Sequence, residues 1–385
     1  MKVNIVISQQ TQANDQFVAD LAACVARSKR VLVITGAGIS CSGGIPDFRS
    51  SDGLYNLVKK KHPKTVIRGK ELFDATLFRD ENQTKCFYTF MAELKSLIST
   101  AQPTETHSFI RELQEKGQLM RCYTQNIDCL EERLDLPVVQ LHGSMAKVKC
   151  TLCSSSYNFS SDYEQQFREG SPPPCPKCEH ADSERVRLGK RTLATGTLRP
   201  DIVLYNEEHP NGETIGRLQA SDLKKKPDFM IVMGTSLKIP ALKKFIKQAA
   251  RMVHSTRTGR VVFVNKTPAT KEWDSVFDYE VIGDTDEWVK MTQEKLEDEQ
   301  AMLTAKSRLK EATAREIEKE REEEEEEGRI SARSRPAKKP KLSVKITRLT
   351  TQTQTQTQTQ TKLTGYRVTK RNSAISKATT GVKCK

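Results

Sequence analysis

The sequence predicts an α/β fold whose core is a doubly wound parallel sheet. Short runs rich in Val and Ile recur along the chain, and most are bounded by Gly, Asn or Pro. Segments with helical spacing, such as ALKKFIKQAARMVH at 241–254, lie between several of these runs. Because parallel strands are joined by crossovers that are usually helical, this alternation predicts a Rossmann-like sheet with helices on both faces. The predicted strands are 31–34, 119–123, 138–141, 201–205, 229–233 and 261–264.

Two gaps between the predicted strands are longer than one crossover helix requires. The first lies between 34 and 119, and the second, from 143 to 195, contains both pairs of closely spaced cysteines. Most connections in compact domains are only about 4–6 residues long, so these gaps indicate inserted structure. We therefore expect a helical insertion at about 45–118 and a metal-binding insertion at 143–195 to form a smaller domain beside the sheet.

Four of the ten cysteines form two C-x-x-C pairs, which predict a structural zinc site. The pairs are Cys150 with Cys153 and Cys175 with Cys178. Two C-x-x-C turns supply the tetrahedral four-thiolate set that structural zinc prefers. A redox pair is the alternative for a single C-x-x-C, but two at this spacing favour a zinc ribbon. Four thiolates leave no open position for water, so the zinc would stabilise the insertion and take no part in catalysis.

The loop after the first strand begins like a dinucleotide-binding loop and then departs from that pattern. The strand at 31–34 leads into GAG at 36–38, the start of the fingerprint G-x-G-x-x-G. Its third glycine would stand at 41, where the chain has Cys41, and further glycines come only at 43–44. The loop is therefore either a degraded dinucleotide-binding loop or one built for different chemistry on the same cofactor.

Small and polar residues follow four of the predicted strands, at 125–128, 142–143, 234–236 and Asn265. Ligands bind at the carboxyl ends of strands in open α/β sheets, so this pattern predicts a ligand crevice. A lone histidine is usually a surface residue or a satisfied core residue. His142, however, ends a buried strand and is followed by glycine, which favours a place in the crevice.

These motifs resemble those of the sirtuins, a family of NAD-dependent protein lysine deacylases. The resemblance covers about 20–290 and indicates one catalytic domain at 1–290. The matching motifs, in order, are GAGIS and GIPDFRS within 36–50, TQNID at 124–128, His142-Gly143, the two C-x-x-C pairs, GTLRPDIVLY at 196–205, GTSL at 234–237, Asn265 and Gly283-Asp284. The stretch GTSLKIPALKKFIKQAARMVH is most similar to a fungal nuclear branch whose members act on a core lysine of histone H3.

The resemblance implies that NAD is the cofactor. The loop after Gly38 would fold over the nicotinamide end and keep it dry, while residues after the later strands would hold the adenosine half. The implied cofactor-binding residues are Gly36, Ala37, Gly38, Ile45, Asp47, Phe48, Arg49, Tyr55, Gln125, Asn126, Ile127, Asp128, Gly234, Thr235, Ser236, Asn265, Lys266, Asp284 and Thr285.

The resemblance also implies a reaction with three catalytic residues. Asn126 and Asp128 would bind the nicotinamide ribose and carboxamide while the acetyl-lysine oxygen attacks the ribose and nicotinamide leaves. His142 would then act as general base on a ribose hydroxyl that attacks the resulting imidate, a task suited to a pKa near neutrality. The products would be free lysine, nicotinamide and O-acetyl-ADP-ribose.

Two positions depart from the family pattern. LYNEE at 204–208 stands where many sirtuins carry Phe-Gly-Glu, beside the implied acyl-lysine channel. This departure leaves the acyl preference open. Thr285 stands where many carry a cysteine near the adenine, a change that we expect to be tolerated.

The C-terminal part of the chain differs in composition from the rest. A charged, helix-prone extension is predicted at 291–328, and a disordered basic tail at 329–385. Residues 331–385 hold 14 Lys and Arg and no Asp or Glu, so they account for the whole net charge of +14. AKKPKL at 337–342 resembles a nuclear import signal, and the tail is expected to contact chromatin or DNA. A tail that only aids solubility is the alternative.

The sequence thus favours a nuclear NAD-dependent protein deacetylase that acts on histones, with a role in chromatin silencing and genome maintenance. Another NAD-dependent deacylase or a protein ADP-ribosyltransferase is the alternative within the same class. A catalytically inactive chromatin-binding module is the alternative from a different class, and an ordinary dehydrogenase is disfavoured by Cys41. No run of about 18 apolar residues is present, so no membrane partner is expected.

Overall fold

The computed structural model describes residues 3–8, 12–50, 53–61 and 69–333. Every element in this part of the chain belongs to the compact unit Met1–Glu316, apart from the end of the last helix. The strands are β1 (Val3–Val6), β2 (Val31–Thr35), β3 (Leu119–Thr124), β4 (Val138–Gln140), β5 (Gly143–Cys150), β6 (Ser156–Asn158), β7 (Leu198–Ile202), β8 (Phe229–Met233), β9 (Arg260–Asn265) and β10 (Tyr279–Ile282). The α-helices are α1 (Gln12–Arg27), α2 (Leu54–Lys61), α3 (Glu81–Thr100), α4 (Glu105–Glu115), α5 (Ser161–Arg168), α6 (Pro176–Arg187), α7 (Gly212–Lys224), α8 (Pro240–His254) and α9 (Thr285–Arg333).

Seven of the strands form one parallel sheet in the order β1-β10-β9-β8-β2-β3-β4. The chain leaves β2 toward β3 and β4 on one side and later returns to β8 on the other. The strand order therefore reverses between β2 and β8, and such a reversal opens a crevice at the carboxyl ends of the strands. The predicted doubly wound parallel sheet is confirmed.

The central strands are buried on both faces, as their continuous apolar sequences require. Val31 and Val33 of β2 pack in one core with α1, α4 and α9. Leu32 and Ile34 point to the opposite face and pack in a second core with α8. Because side chains alternate along a strand, the single run VLVI supplies both layers.

The composition of the parallel sheet differs from the sequence-based prediction at three strands. Residues 198–202 form β7, which lies in a separate three-stranded antiparallel sheet of order β6-β5-β7 and not in the parallel sheet. Pairing of Leu198 with Cys150 places this segment beside the cysteine pairs. The short strands β1 and β10 were not predicted, although they form one end of the parallel sheet.

The small domain has its own core, shared by the helical insertion and the cysteine-rich segment. Tyr88 of α3 lies edge-on to Phe167 of α5, with ring centroids 4.8 Å apart. The helical insertion is shorter than predicted, because α4 within 45–118 packs on the parallel sheet through Phe109 and Ile110. The cysteine-rich segment is longer than predicted, since β7 extends it to Ile202.

The last helix, α9, begins on the parallel sheet and continues beyond it. Trp288, Val289 and Leu296 are buried in the sheet core, so the predicted boundary between 290 and 291 falls inside a packed helix. Farther along, Met302 and Leu309 are 58% and 69% exposed, which marks the helix as solvent-facing there. Residues 334–385, most of the predicted tail, lie outside the described residues. Among the described helices, none combines the length and the apolar character needed to cross a membrane.

Candidate functional site

A cleft of about 720 Å³ lies at the carboxyl ends of β2, β3, β8 and β9. Its opposite wall comes from the segment after β7, residues 202–209, so the cleft separates the parallel sheet from the small domain. The volume falls in the usual range for ligand pockets, about 300–1,000 Å³. The predicted site residues that line it are Gly36, Ala37, Gly38, Asp47, Phe48, Arg49, Tyr55, Gln125, Asn126, Ile127, His142, Gly234, Thr235, Ser236, Asn265, Lys266 and Thr285.

The glycines after β2 are required by contact with the loop after β8. A Cβ on Gly36 would lie 2.8 Å from the Gly234 carbonyl oxygen, and a Cβ on Gly38 would lie 2.7 Å from the Gly234 Cα. Gly38 also donates its N–H to the Gly234 carbonyl at 2.9 Å. Gly234 itself has φ +62°, in the left-handed region that favours glycine. The GAG motif therefore serves close packing of two cleft loops in addition to any approach to a ligand.

The departure at Cys41 has a structural reason. After Gly36 the chain makes one 3-10 turn, Ala37–Ser40, and Cys41 caps its end. The Cys41 thiol lies 3.5 Å from the Ala37 carbonyl oxygen, to which it donates. No long helix begins here, so the third glycine, which a dinucleotide-binding fold uses for close packing of its helix on the strand, is not needed.

Beside the cleft lies a small recess that holds the buried carboxylate of Asp128. Asp128 Oδ2 accepts from the Ser40 hydroxyl at 2.7 Å, and Asn126 Nδ2 donates to the same hydroxyl oxygen at 3.1 Å. Ile45 lines the recess together with Asn126 and Asp128, so the structure places Ile45 and Asp128 here and not in the main cleft. Burial raises the pKa of Asp128, and the Ser40 hydrogen bond opposes that shift.

Asn126 presents an unsatisfied acceptor in this recess. Its side chain is 3% exposed, and its Oδ1 has no hydrogen-bond partner among the described residues. A buried acceptor without a donor costs on the order of 1–3 kcal/mol, which a ligand N–H or O–H would relieve. The recess therefore fits a polar ligand group that carries a donor.

His142 lies at the floor of the cleft with one ring nitrogen fixed. Its Nδ1 is 3.0 Å from the Gln125 carbonyl oxygen, an acceptor, so Nδ1 carries the proton and Nε2 is left as an acceptor. Burial lowers the pKa of His142, while the Gln125 hydrogen bond opposes the shift and the nearby His209 and Arg49 add to it. The ring is therefore neutral at physiological pH and able to accept a proton.

Gln125 joins three of the strand ends that form the cleft. Its side-chain Nε2 donates to the Thr35 carbonyl and to the Thr235 hydroxyl, each at 2.9 Å. Its backbone carbonyl accepts from His142. The ends of β2, β3 and β8 are thus held together by one side chain. This cross-link fixes the position of His142 relative to the glycine loops.

The four paired cysteines converge on one point in the small domain. Cys150 ends β5, Cys153 lies in the following turn, and Cys175 and Cys178 stand at the start of α6. All four sulfur atoms lie within 4.8 Å of one another. The Cys150–Cys178 and Cys153–Cys175 sulfur separations are 3.8 and 3.7 Å.

These separations fit a zinc ion. A tetrahedral ion with Zn–S bonds of about 2.3 Å places its ligands about 3.8 Å apart. The N–H groups of Leu152 and Cys153 donate to the Cys150 sulfur, as expected for a thiolate in a knuckle turn. A Cβ on Gly196 would lie 2.6 Å from the same sulfur, so only glycine fits there. The geometry confirms the predicted zinc site.

A family model, that of the Sir2 family, matches residues 36–241, more than half of the chain. The chain belongs to the Sir2 family. The match spans both the glycine loops of the cleft and the four-cysteine cluster, so the same segment that carries the site carries the family signature.

Curated fungal relatives are similar over most of the described chain. The NAD-dependent histone deacetylase HST3 of Candida albicans is 45% identical over 298 residues, 71% of this chain and 61% of that protein. HST3 of Saccharomyces cerevisiae is 41% identical over 74% of this chain and 69% of its own length. The NAD-dependent protein deacetylase hst4 of Schizosaccharomyces pombe is 40% identical, over 69% and 66%. The Sir2 chain therefore spans about three fifths to two thirds of these relatives.

Solved Sir2 structures share the fold. One, described in a study of the mechanism and regulation of Sir2 enzymes, is 28% identical with a TM-score of 0.56 and covers 74% of this chain and 99% of its own. A Sir2 homologue mutant in complex with ADP-ribose is 26% identical with a TM-score of 0.54, over 72% and 97%.

The segment LYNEE, where this Sir2 chain departs from Phe-Gly-Glu, contains a residue with a left-handed backbone conformation. Asn206 has φ +65°, a conformation that glycine adopts freely and asparagine tolerates. Its Nδ2 donates to Asp74 Oδ2 at 2.7 Å. Glu207 accepts from the Arg199 guanidinium at 2.5 and 2.6 Å, which holds the turn. Asparagine therefore stands at a position whose backbone conformation glycine could also adopt.

Tyr205 adds a contact that phenylalanine could not make. Its hydroxyl accepts from Arg49 Nη2 at 2.9 Å, while Arg49 Nη1 donates to the Ser236 hydroxyl at 2.7 Å. Arg49 thereby joins the small domain to the loop after β8 across the cleft. Tyr205 and His209, another cleft residue, were not predicted as site residues. Tyr205 lies within the motif GTLRPDIVLY and in LYNEE, which are signals in the sequence, whereas His209 lies just beyond both.

Asp284 is the one predicted cofactor residue that lines neither the cleft nor the recess. Its Oδ1 accepts from the Asp286 N–H at 2.9 Å, and its Oδ2 lies 3.2 Å from Lys266 Nζ. These contacts cap the start of α9 and hold Lys266, which does line the cleft. Thr285, the residue in place of the family cysteine, is 5% exposed and lies in the cleft wall.

We predict that Cys150→Ala releases zinc and loosens the small domain. Loss of one thiolate leaves only three ligands for the ion. Because metal binding is coupled to folding, the segment around β5 and α6 should then lose stability. Metal analysis should find one zinc ion per chain in the unmodified protein and none in the variant. Cys24→Ser, which changes a cysteine outside the cluster, should keep the zinc. Absence of zinc from the unmodified protein would contradict the assignment.

We predict that Tyr205→Phe weakens NAD binding by roughly three- to tenfold. The variant removes one hydrogen bond to Arg49, and such a bond contributes about 0.5–1.5 kcal/mol. Calorimetric titration with NAD measures the change in Kd. Tyr163→Phe removes a hydroxyl from α5 in the same domain and serves as the matched control. Equal affinities for both variants would show that the Arg49–Tyr205 contact does not support the cofactor.

Proposed function

We propose that the protein is an NAD-dependent protein lysine deacetylase whose substrates are acetylated histones. The observation that carries this proposal is His142, neutral and with Nε2 free, at the floor of a cleft beside the buried Asn126–Asp128 recess. A neutral imidazole is a suitable general base, and a recess with an unsatisfied acceptor suits a carboxamide or a sugar hydroxyl.

The residues of the cleft fit NAD. The backbone of Gly36–Gly38 and the segment Gly234–Ser236 would hold the phosphates and the adenosine half together with Asn265 and Lys266. The loop of Asp47, Phe48 and Arg49 would cover the nicotinamide end with Tyr55 beneath it. NAD would supply the ADP-ribose group that accepts the acetyl group, with release of nicotinamide. A solved Sir2 homologue with ADP-ribose supports this placement.

The side chains in the recess would orient the reacting groups. Asn126 would use its free Oδ1 to accept from the ligand, and Asp128 would fix Ser40 and Asn126 through the hydrogen bonds described above. Because Asp128 contacts Ser40, which in turn contacts Asn126, its main contribution would be to orientation. Phe48 and Ile45 would exclude water, which would otherwise hydrolyse the cofactor.

His142 would take up the proton released from a ribose hydroxyl. The Gln125 carbonyl fixes its tautomer, so Nε2 receives the proton, and the same hydrogen bond stabilises the imidazolium that forms. This step favours deacylation over protein ADP-ribosylation, the alternative within the class, because a base at this position is needed only when the acyl group is transferred.

The histone substrate is supported by the relatives. HST3 of two yeasts and HST4 of Saccharomyces cerevisiae are named NAD-dependent histone deacetylases. We extend the proposal to a core lysine of histone H3, to chromatin silencing and genome maintenance, and to a nuclear location. The import-like sequence at 337–342 and the basic tail support that location. The tail would also add affinity for chromatin.

Mass spectrometry of an acetylated histone peptide panel, with and without NAD, tests the proposed function. Mass loss of one acetyl group on particular peptides, with formation of O-acetyl-ADP-ribose, is the expected result. Transfer of ADP-ribose to the peptide would identify the alternative activity. If NAD changes the mass of none of the acetylated peptides, the result would favour the alternative of a catalytically inactive chromatin-binding module.

We predict that His142→Ala lowers the deacetylation rate by on the order of 10²-fold or more. The variant removes the base but leaves the glycine loops and the recess in place. Because the pKa of His142 lies below its usual value, the rate of the unmodified enzyme should be level near neutrality and fall as the pH drops through that lowered pKa. The rate of the variant should not show this decrease at low pH. A rate close to that of the unmodified enzyme would refute the assignment.

We predict that deletion of 331–385 leaves turnover of short peptides unchanged, since the cleft residues identified in the described part of the chain all precede that segment. It should remove nuclear import and reduce nucleosome affinity in a salt-dependent way, because each neutralised phosphate releases counterions. Fluorescence localisation and binding at two salt concentrations measure these effects. Loss of peptide turnover would contradict the modular arrangement, and unchanged location and affinity would leave the tail as a solubilising extension.

A further inference from the structure

The amino end of the parallel sheet, opposite the cleft, carries a group of cations that we call the basic edge. Its members are Lys29, Arg30, Lys224, Lys225, Lys226, Arg251 and Arg257. All seven side chains are exposed. They come from three separate segments of the chain, and no sequence motif connects them.

The strand register places these segments side by side. Val31 of β2 pairs with Phe229 of β8, and Phe229 pairs with Arg260 of β9, so the three strands begin in one row. Neighbouring strands are about 4.8 Å apart, and the connections that enter them are therefore adjacent. Lys29 and Arg30 precede β2, Lys225 and Lys226 precede β8, and Arg257 precedes β9. Helices α7 and α8 also end at this edge and contribute Lys224 and Arg251.

The carboxylates of Asp228 and Asp278, at this edge, do not pair with the side chains of the seven cations. Asp228 accepts from the backbone N–H groups of Lys29 and Arg30, at 3.1 and 2.9 Å. Asp278 accepts from the Val261 N–H at 2.7 Å and from His254 at 2.9 Å. Within the described part of the chain, none of the seven cations of the basic edge forms an ion pair.

The dipoles of the helices that end here offset only part of the positive charge of the basic edge. Each helix that ends here contributes roughly half a negative charge, which favours a cation in its last turn, such as Lys224 or Arg251. The cations in the connections lie beyond those turns. After the two carboxylates and roughly half a negative charge at each of the two helix ends are subtracted from the seven cations, about four positive charges remain in surplus. This surplus attracts a polyanion.

The chemistry of the basic edge favours phosphate over a protein surface. The large apolar side chains that are exposed in the described residues lie on α2, α3, α9 and the zinc-binding segment, and not on the ends of α7 and α8 or their connections. Four of the seven cations are lysines, which are depleted from protein–protein interfaces and common against nucleic-acid phosphates. From this placement we propose that the basic edge binds the phosphate backbone of double-stranded DNA, without sequence preference.

This contact would be independent of the cleft. The basic edge lies at the amino ends of the strands whose carboxyl ends form the cleft, so DNA and an acetylated peptide would occupy opposite ends of the sheet. The enzyme could then hold DNA while its cleft is engaged with a protein segment. The proposed deacetylase activity is not needed for DNA binding, and the two can be tested separately.

The test compares two triple variants of the full-length chain. The edge variant is Lys224→Gln, Lys225→Gln, Lys226→Gln. The matched control is Lys306→Gln, Arg308→Gln, Lys310→Gln, which removes the same charge from exposed positions on α9. Both variants retain the basic tail, so its contribution to DNA binding is the same in each. Equal thermal unfolding midpoints and equal peptide turnover would show that folding and the cleft are unaffected.

Affinity for a short DNA duplex is measured at several salt concentrations. Each phosphate contact contributes about 0.9 to the slope of log Kobs against log salt concentration. The magnitude of this slope should therefore be smaller by about two to three for the edge variant. The control should keep the slope of the unmodified protein. Equal slopes for the two variants would overturn the proposal.

A direct footprint provides the second measurement. An amine-reactive reagent labels exposed lysines of the unmodified protein, and mass spectrometry reports the labelling of Lys224–Lys226 relative to Lys306 and Lys310. Added duplex should reduce labelling of the first group only. Polyglutamate serves as the acidic-protein probe. Protection by polyglutamate but not by duplex would overturn the proposal in favour of an acidic protein partner, and no protection by either would overturn it outright.

Discussion

The site depends on the contact between two backbone loops, one after β2 and one after β8. Gly36 and Gly38 lie so close to Gly234 that a single added Cβ would overlap the opposite backbone. This contact brings together two strands that are far apart in the sequence and defines the crevice at the reversal of strand order. Gln125 then fixes the neighbouring strand end to both loops through its side-chain amide.

The metal site is connected to His142 through the backbone, and none of its four cysteines lines the cleft. Cys150 ends β5, and β5 begins at Gly143, directly after His142. Along its length β5 pairs with β7, from Cys150 with Leu198 to Gly143 with Ile202, and Val203 donates its N–H to the His142 carbonyl at 2.9 Å. A zinc ion that holds Cys150 therefore holds the strand that positions His142. The closed metal site has no position for a substrate, so its role is to hold this strand.

Buried polar groups beside the cleft remain incompletely satisfied. Asn126 Oδ1 and both carboxylate oxygens of Glu131 have no hydrogen-bond partner among the described residues. Burial and the nearby Asp128 raise the pKa of Glu131 to about 7, so the pair Asp128–Glu131 carries less than its full negative charge near neutrality. Polar groups held in this way reduce stability but are already dehydrated and oriented, which favours binding of a polar ligand.

The sequence by itself determined the parallel sheet, the glycine loops, the polar strand ends and the zinc ligands, because each depends on local patterns. Buried strands, C-x-x-C turns and residues at strand ends can be identified from neighbouring residues alone. Only the tertiary structure assigned 198–202 to the antiparallel sheet, placed α4 on the parallel sheet and extended the packed part of α9 to Leu296. It also decided that Tyr205 meets Arg49, that Asp284 caps a helix, and that seven scattered cations share one edge. These features depend on contacts between residues far apart in the sequence, and such contacts are set by packing and strand order, which no local pattern specifies.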